Sequence, residues 1–88
     1  MHPDVVKKMN ETIALLKLIE RETAILGDIN DKRIVTSRRS SEVQNKILEL
    51  DIIIASNGTD ENTEKFRKQI VDEADRVLNI REAQKFDF

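Results

Sequence analysis

The sequence contains no cysteine, tryptophan or tyrosine, and it has two glycines, one proline and one histidine. Without cysteine, neither a disulfide nor a thiolate metal site can form. The only aromatic residues are Phe66, Phe86 and Phe88, so the core must be aliphatic. Two separate glycines cannot form a phosphate-binding loop, and His2 alone does not provide a buried, oriented catalytic triad. We therefore expect a protein that is not an enzyme and that binds no cofactor or metal.

Long hydrophobic runs are also missing. No uninterrupted aliphatic stretch exceeds four residues, whereas a helix needs about 20 apolar residues to cross a bilayer. The opening residues Met-His-Pro-Asp do not have the basic and then apolar pattern of a signal peptide. From these features we expect a soluble, cytoplasmic protein without membrane contact.

The distribution of aliphatic residues predicts an all-α fold in one domain, residues 1–88. Charged residues make up 36% of the chain, but Leu, Ile and Val recur at intervals of three and four, as in amphipathic helices. The pattern predicts a helical hairpin followed by a third helix, with helices over about 4–26, 33 or 41 to 57, and 61–84. A loop over 27–32 with a frayed helical start after it is favoured, and Ser41 is a candidate N-cap. A second helix that begins near Asp31 stays open as the alternative.

The central helix is apolar on two sides. One side carries Val43, Ile47, Leu50 and Ile54, and the roughly opposite side carries Leu48, Ile52 and Ala55, joined by Ile34 if the helix extends that far. A helix with two apolar sides must be covered twice. The second cover is either the third helix, in a self-sufficient monomer, or another chain.

A simple three-helix bundle needs only one apolar seam per helix. We therefore favour another chain, and not the third helix, as the cover for the second apolar side. Ile34, Leu48, Ile52 and Ala55 are then the predicted protein interface, and antiparallel pairing of two central helices would cover it. We expect a homo-oligomer, with a dimer favoured, that forms a larger helical bundle with coiled-coil packing. A heterologous protein is the other candidate partner. The expected function is that of a non-enzymatic interaction module, such as a small regulator, adaptor or assembly factor.

A basic segment offers a second functional hypothesis, nucleic-acid binding. It contains four basic side chains, Lys32, Arg33, Arg38 and Arg39. Nucleic-acid contact would require them to lie on one exposed face, beside a recognition helix or stacking aromatics. No aromatic residue lies nearby, and Asp28, Asp31 and Glu42 on either side dilute the positive charge. Residues 47–88 carry ten acidic against six basic side chains. Nucleic acid is therefore the less favoured partner.

The central helix also resembles a known family. Glu42-Val43, the run Ile47-Leu48-Glu49-Leu50-Asp51 and the following Ile53-Ile54 resemble the second helix of the short sporulation phosphatases. Those helical hairpins act on phosphorylated response regulators and carry a Ser-Gln-Glu-Leu-Asp signature, of which Glu49-Leu50-Asp51 match here. The resemblance covers about a third of the chain, and this chain has a longer connector and a third helix. It implies an aspartyl-phosphate phosphatase-like regulator in which Glu49 and Asp51 face the partner's phospho-acceptor pocket.

Overall fold

A computed structural model describes residues 1–79 of the chain. Three α-helices follow one another: α1, Pro3–Ala24; α2, Ile29–Asn57; and α3, Glu61–Leu78. The prediction of an all-α, three-helix fold is confirmed, whereas its assembly with further copies stays a prediction. The predicted continuation of the third helix from residue 80 to Gln84 lies outside the described residues, as do Phe86 and Phe88.

The start of α1 follows from its first residues. Pro3 occupies the first turn, where a residue without an N–H leaves no hydrogen bond unmade. The backbone N–H of Asp4 donates to Nδ1 of His2 over 3.1 Å. The Asp4 carboxylate also lies at the positive end of the helix dipole. The single histidine therefore serves as a local helix cap.

The start of α2 differs from the favoured prediction. The helix begins at Ile29, and Asp28 is its N-cap, with the backbone N–H of Asn30 donating to Oδ1 of Asp28 over 2.7 Å. The predicted loop over 27–32 is therefore wrong from residue 29 onward, and Ser41 lies inside the helix. The capped first turn lets the weakly helix-forming segment after it join the long helix, with Thr36 buried against the rest of the molecule. The resulting 29 residues span about 43 Å at 1.5 Å per residue.

The turn between α2 and α3 is built from glycine and aspartate. Gly58 has a φ of 80°, in the left-handed region that glycine enters without steric cost. Asp60 then caps α3, because its Oδ1 accepts the backbone N–H of Thr63 over 2.7 Å. That hydrogen bond lowers the pKa of Asp60 below its ordinary value.

The core lies between the three helices and has two parts. At one end, Val5 and Met9 pack with Leu50 and Ile70; at the other, Leu16 and Ile19 pack with Val43, Ala74 and Val77. The first part joins the start of α1 to the end of α2, and the second joins later α1 to earlier α2. The chain therefore runs up, down and up, with α1 and α3 both antiparallel to α2.

Four threonines are buried among these aliphatic residues: Thr12, Thr23, Thr36 and Thr63. The first three donate their hydroxyl protons to backbone carbonyls one turn earlier, over 2.8, 2.9 and 3.1 Å. A buried hydroxyl that is hydrogen-bonded in this way avoids most of its desolvation cost. Between residues 1 and 79, no helix combines the length and the apolar character that a bilayer crossing requires.

Candidate protein-interaction surface

The four predicted interface residues lie together on the solvent side of α2. Ile34, Leu48 and Ile52 are 51%, 59% and 66% exposed, and Ala55 is exposed as well. Each residue advances about 100° around a helix, so this set points away from the buried Thr36, Val43 and Leu50. We call it the outer stripe. The described part of α3 does not cover it.

The outer stripe is free of charge along its length. The positions between Ile34 and Leu48 on the same side of α2 are Ser37, Ser41 and Asn45, all exposed and uncharged. From Ile34 to Ala55 the stripe extends about 32 Å at 1.5 Å per residue. A helix face that meets only water usually carries charged residues. A charge-free face of this length, in a chain with 36% charged residues, is instead typical of an interface.

Charged residues border the outer stripe. Arg38 and Glu49 lie along the edge nearer α1, separated by about 20° around the helix axis. Oε2 of Glu49 is 2.7 Å from Nζ of Lys8, which is also 3.0 Å from Glu11. Hydrogen bonds to Glu49 and then Glu11 raise the pKa of Lys8, and the bond from Lys8 lowers the pKa of Glu49. This edge of α2 is thereby tied to α1.

The opposite edge of the stripe faces α3. Asp51 accepts two hydrogen bonds from Arg67, over 2.5 Å from Nε and 3.0 Å from Nη2. The paired carboxylate raises the pKa of Arg67. Such a two-bond pair fixes orientation as well as distance. Asp51 therefore anchors α3 to α2.

The structure also shows where the phosphatase-like residues lie. Glu49 binds Lys8 and Asp51 binds Arg67, while Leu50 between them is fully buried. Two residues apart on a helix, Glu49 and Asp51 point in directions about 160° apart. The structure does not bring the two carboxylates together toward one partner pocket.

The four basic residues of the nucleic-acid hypothesis are distributed around α2. Arg39 donates to Glu22 over 2.6 Å and to Glu42 over 3.1 Å, and these bonds, that to Glu22 first, raise its pKa. Arg33 and Arg38 are exposed but point about 140° apart, and Lys32 is half-buried. The structure does not place the four on one exposed face.

A second apolar surface, which the sequence reasoning did not single out, lies between α1 and α3. Val6, Ile13 and Phe66 line this groove at 39%, 37% and 46% exposure, with Met9 and Ile70 beneath them. On α1, Val6 and Ile13 point within about 60° of the buried Met9, so the apolar residues of this helix span a broad arc. The width of this arc could have indicated the second apolar surface from the sequence, because an apolar arc wider than one helix contact leaves some of its residues uncovered.

Other kinds of site find little support within residues 1–79. No three acidic or histidine side chains in that range lie close enough to hold a metal ion. Comparisons with protein-family models, curated proteins and solved structures found no match to this chain.

Proposed function

We propose that this protein is a non-enzymatic helical interaction module that associates with itself through the outer stripe of α2 and works as a small regulator, adaptor or assembly factor. The observation that carries the proposal is the charge-free stripe, in which Leu48 and Ile52 stay more than half exposed in the folded chain. Covering large aliphatic side chains gains free energy in proportion to the apolar area removed from water. A second molecule on this face supplies that cover.

The geometry of the fold supports association without refolding. The inner face of α2 already packs against α1 and α3, and the outer stripe lies on the other side of the same helix. Ile34 and Ile52 stand on a regular helix whose backbone hydrogen bonds are made within α2. A partner can therefore dock onto a surface that is already formed, which keeps the entropic cost of binding low.

The proposal is tested by Ile52→Glu, with Ile25→Glu as the matched control. Both isoleucines are exposed, Ile25 at 85%, but Ile25 lies at the end of α1 and outside the stripe. In sedimentation velocity at equal concentrations, we expect the wild type and Ile25→Glu to sediment as oligomers and Ile52→Glu as a monomer. Circular dichroism should show the same helix content in all three, because position 52 is exposed in the single chain.

Two results would contradict the proposal. One is an Ile52→Glu variant that sediments like the wild type. The other is a wild type that stays monomeric at every concentration examined.

A further inference from the structure

The distribution of residue sizes along the outer stripe is uneven. Large aliphatic side chains stand near its two ends, Ile34 at one and Leu48 and Ile52 at the other. Between them lie the small Ser37 and Ser41. A second copy in the reverse direction can cover a stripe of this kind. The isoleucine at one end of each stripe then meets the isoleucine at the other end of its partner, and Leu48 meets the small serines.

The charges along the edge nearer α1 also favour pairing in the reverse direction. Arg38 lies toward the start of α2 and Glu49 toward its end, both on that edge and both exposed. A two-fold axis perpendicular to two antiparallel helices brings the same edge of each helix together in opposite order. Arg38 of each molecule then comes level with Glu49 of the other. Parallel two-fold pairing would instead bring this edge against the opposite edge of the other helix, so Arg38 and Glu49 of different molecules could not meet.

One register satisfies both the charges and the side-chain sizes. When Arg38 is level with Glu49 of the second copy, the axis passes between residues 43 and 44. Ile34 is then within one residue, about 1.5 Å, of the level of Ile52 of the second copy. Leu48 comes level with a point between Ser37 and Ser41, where small side chains leave room for it.

From these observations we infer that the outer stripe binds a second copy of this chain in an antiparallel arrangement, with the two-fold axis near residues 43 and 44 of α2. The inference rests on the proposed function and names its partner and register. The two Arg38–Glu49 contacts between molecules set the direction, and the two Ile34–Ile52 contacts and the two Leu48 side chains supply the apolar burial. Each Glu49 then lies between Lys8 of its own chain and Arg38 of the other.

Cysteine cross-linking tests the direction of pairing, since the natural chain has no cysteine to interfere. A disulfide requires Cα atoms within about 7 Å. In the inferred register position 34 lies beside position 52 of the other molecule, whereas two copies of position 34 lie about 28 Å apart along the helices. An equimolar mixture of Ile34→Cys and Ile52→Cys should therefore cross-link at least tenfold more than either variant alone. Ile25→Cys mixed with Ile52→Cys is the matched control and should not cross-link.

A charge reversal tests the register without touching the apolar residues. Arg38→Glu should weaken self-association about tenfold in sedimentation equilibrium, because it places two carboxylates opposite each other at both ends of the interface. Lys68→Glu makes the same charge change at an exposed position of α3, outside the stripe and its edges, and should shift the dissociation constant less than twofold. Equal effects of the two variants would overturn the register.

The outcomes separate this inference from the proposed function. Cross-linking of Ile34→Cys with itself, in a protein that still sediments as a dimer, would overturn the antiparallel arrangement and leave self-association standing. A dimer that gives no 34-to-52 cross-link would also overturn it. A monomeric wild type would overturn both.

Discussion

The two faces of α2 carry the same kinds of aliphatic residue and meet opposite surroundings. Val43 and Leu50 on the inner face are 1% and 0% exposed, whereas Leu48 and Ile52 on the outer stripe are 59% and 66% exposed. The difference lies in the neighbours, because α1 and α3 both pack on one side of the helix. Apolar periodicity therefore indicates which faces of a helix avoid water, while the number and position of neighbouring helices decide which face is covered within one chain.

Shortening one leucine on each face should show the largest difference between the two faces. Leu50→Ala should destabilise the chain by about 2–5 kcal/mol, through lost burial and an unfilled cavity. Leu48→Ala, measured at concentrations below self-association, should change the free energy of unfolding by less than about 0.5 kcal/mol, as exposed positions usually do. Urea unfolding followed by circular dichroism measures both. Similar losses from the two variants would mean that the outer stripe is covered within the monomer.

A smaller effect is expected at the edge between the two faces, where Asp51 binds Arg67. Both side chains are more than a third exposed, so solvent screens their attraction. A double-mutant cycle with Asp51→Asn and Arg67→Gln should give a coupling free energy below about 1 kcal/mol, well under the loss from Leu50→Ala. A larger coupling would show that the ion pair, and not the inner apolar face, holds α3 in place.

The smallest effect is expected from pH, at the cap of α3. The pKa of Asp60 is held below its ordinary value of 3.8 by the hydrogen bond from Thr63, so the native state favours the ionised carboxylate. Its contribution to stability is complete above pH 3.8 and is lost as the pH falls through the lowered native pKa. Asp60→Asn retains a capping side chain without that titration.

The check is urea unfolding of wild type and Asp60→Asn at neutral pH and near pH 3. The wild type should lose more stability on acidification than the variant does. Glu11, Glu49 and Glu73 also have lowered pKa values, so both proteins should weaken in acid and only the difference between them reports on Asp60. Identical pH dependence would exclude a role for the cap.

Much of the fold could be predicted because it depends on local rules. The period of 3.6 residues placed Val43 and Leu50 on one face and Leu48 and Ile52 on the other, and that division is confirmed by their burial. The end of α2 at Asn57 before Gly58 was also predictable, since glycine enters the left-handed conformation freely.

The residue at which α2 begins could not be predicted from local sequence signals. Asp28 and Ser41 are both suitable N-caps, and a weakly helix-forming segment lies between them. The structure has Asp28 as the cap, and Thr36 in that segment is buried with its hydroxyl bonded to the carbonyl of Arg33. Packing of this face outweighs helix propensity, which amounts to less than about 1 kcal/mol per residue.

The charged contacts that join the helices were also beyond sequence reasoning. Spacing within one helix predicts pairs three or four residues apart, but Arg39 binds Glu22 and Arg67 binds Asp51 across helices. The sequence predicted which residues form the outer stripe, and it predicted that another helix or chain packs on them. It could not show that the described part of α3 leaves them exposed, because the position of α3 depends on packing between all three helices.

The most direct test of self-association through the outer stripe is the mass of the wild-type protein by sedimentation equilibrium over a wide concentration range. The chain mass is 10.2 kDa, and association through one two-fold interface predicts a rise toward twice that mass as concentration increases. A mass that stays at 10.2 kDa up to the highest soluble concentration would contradict the proposal.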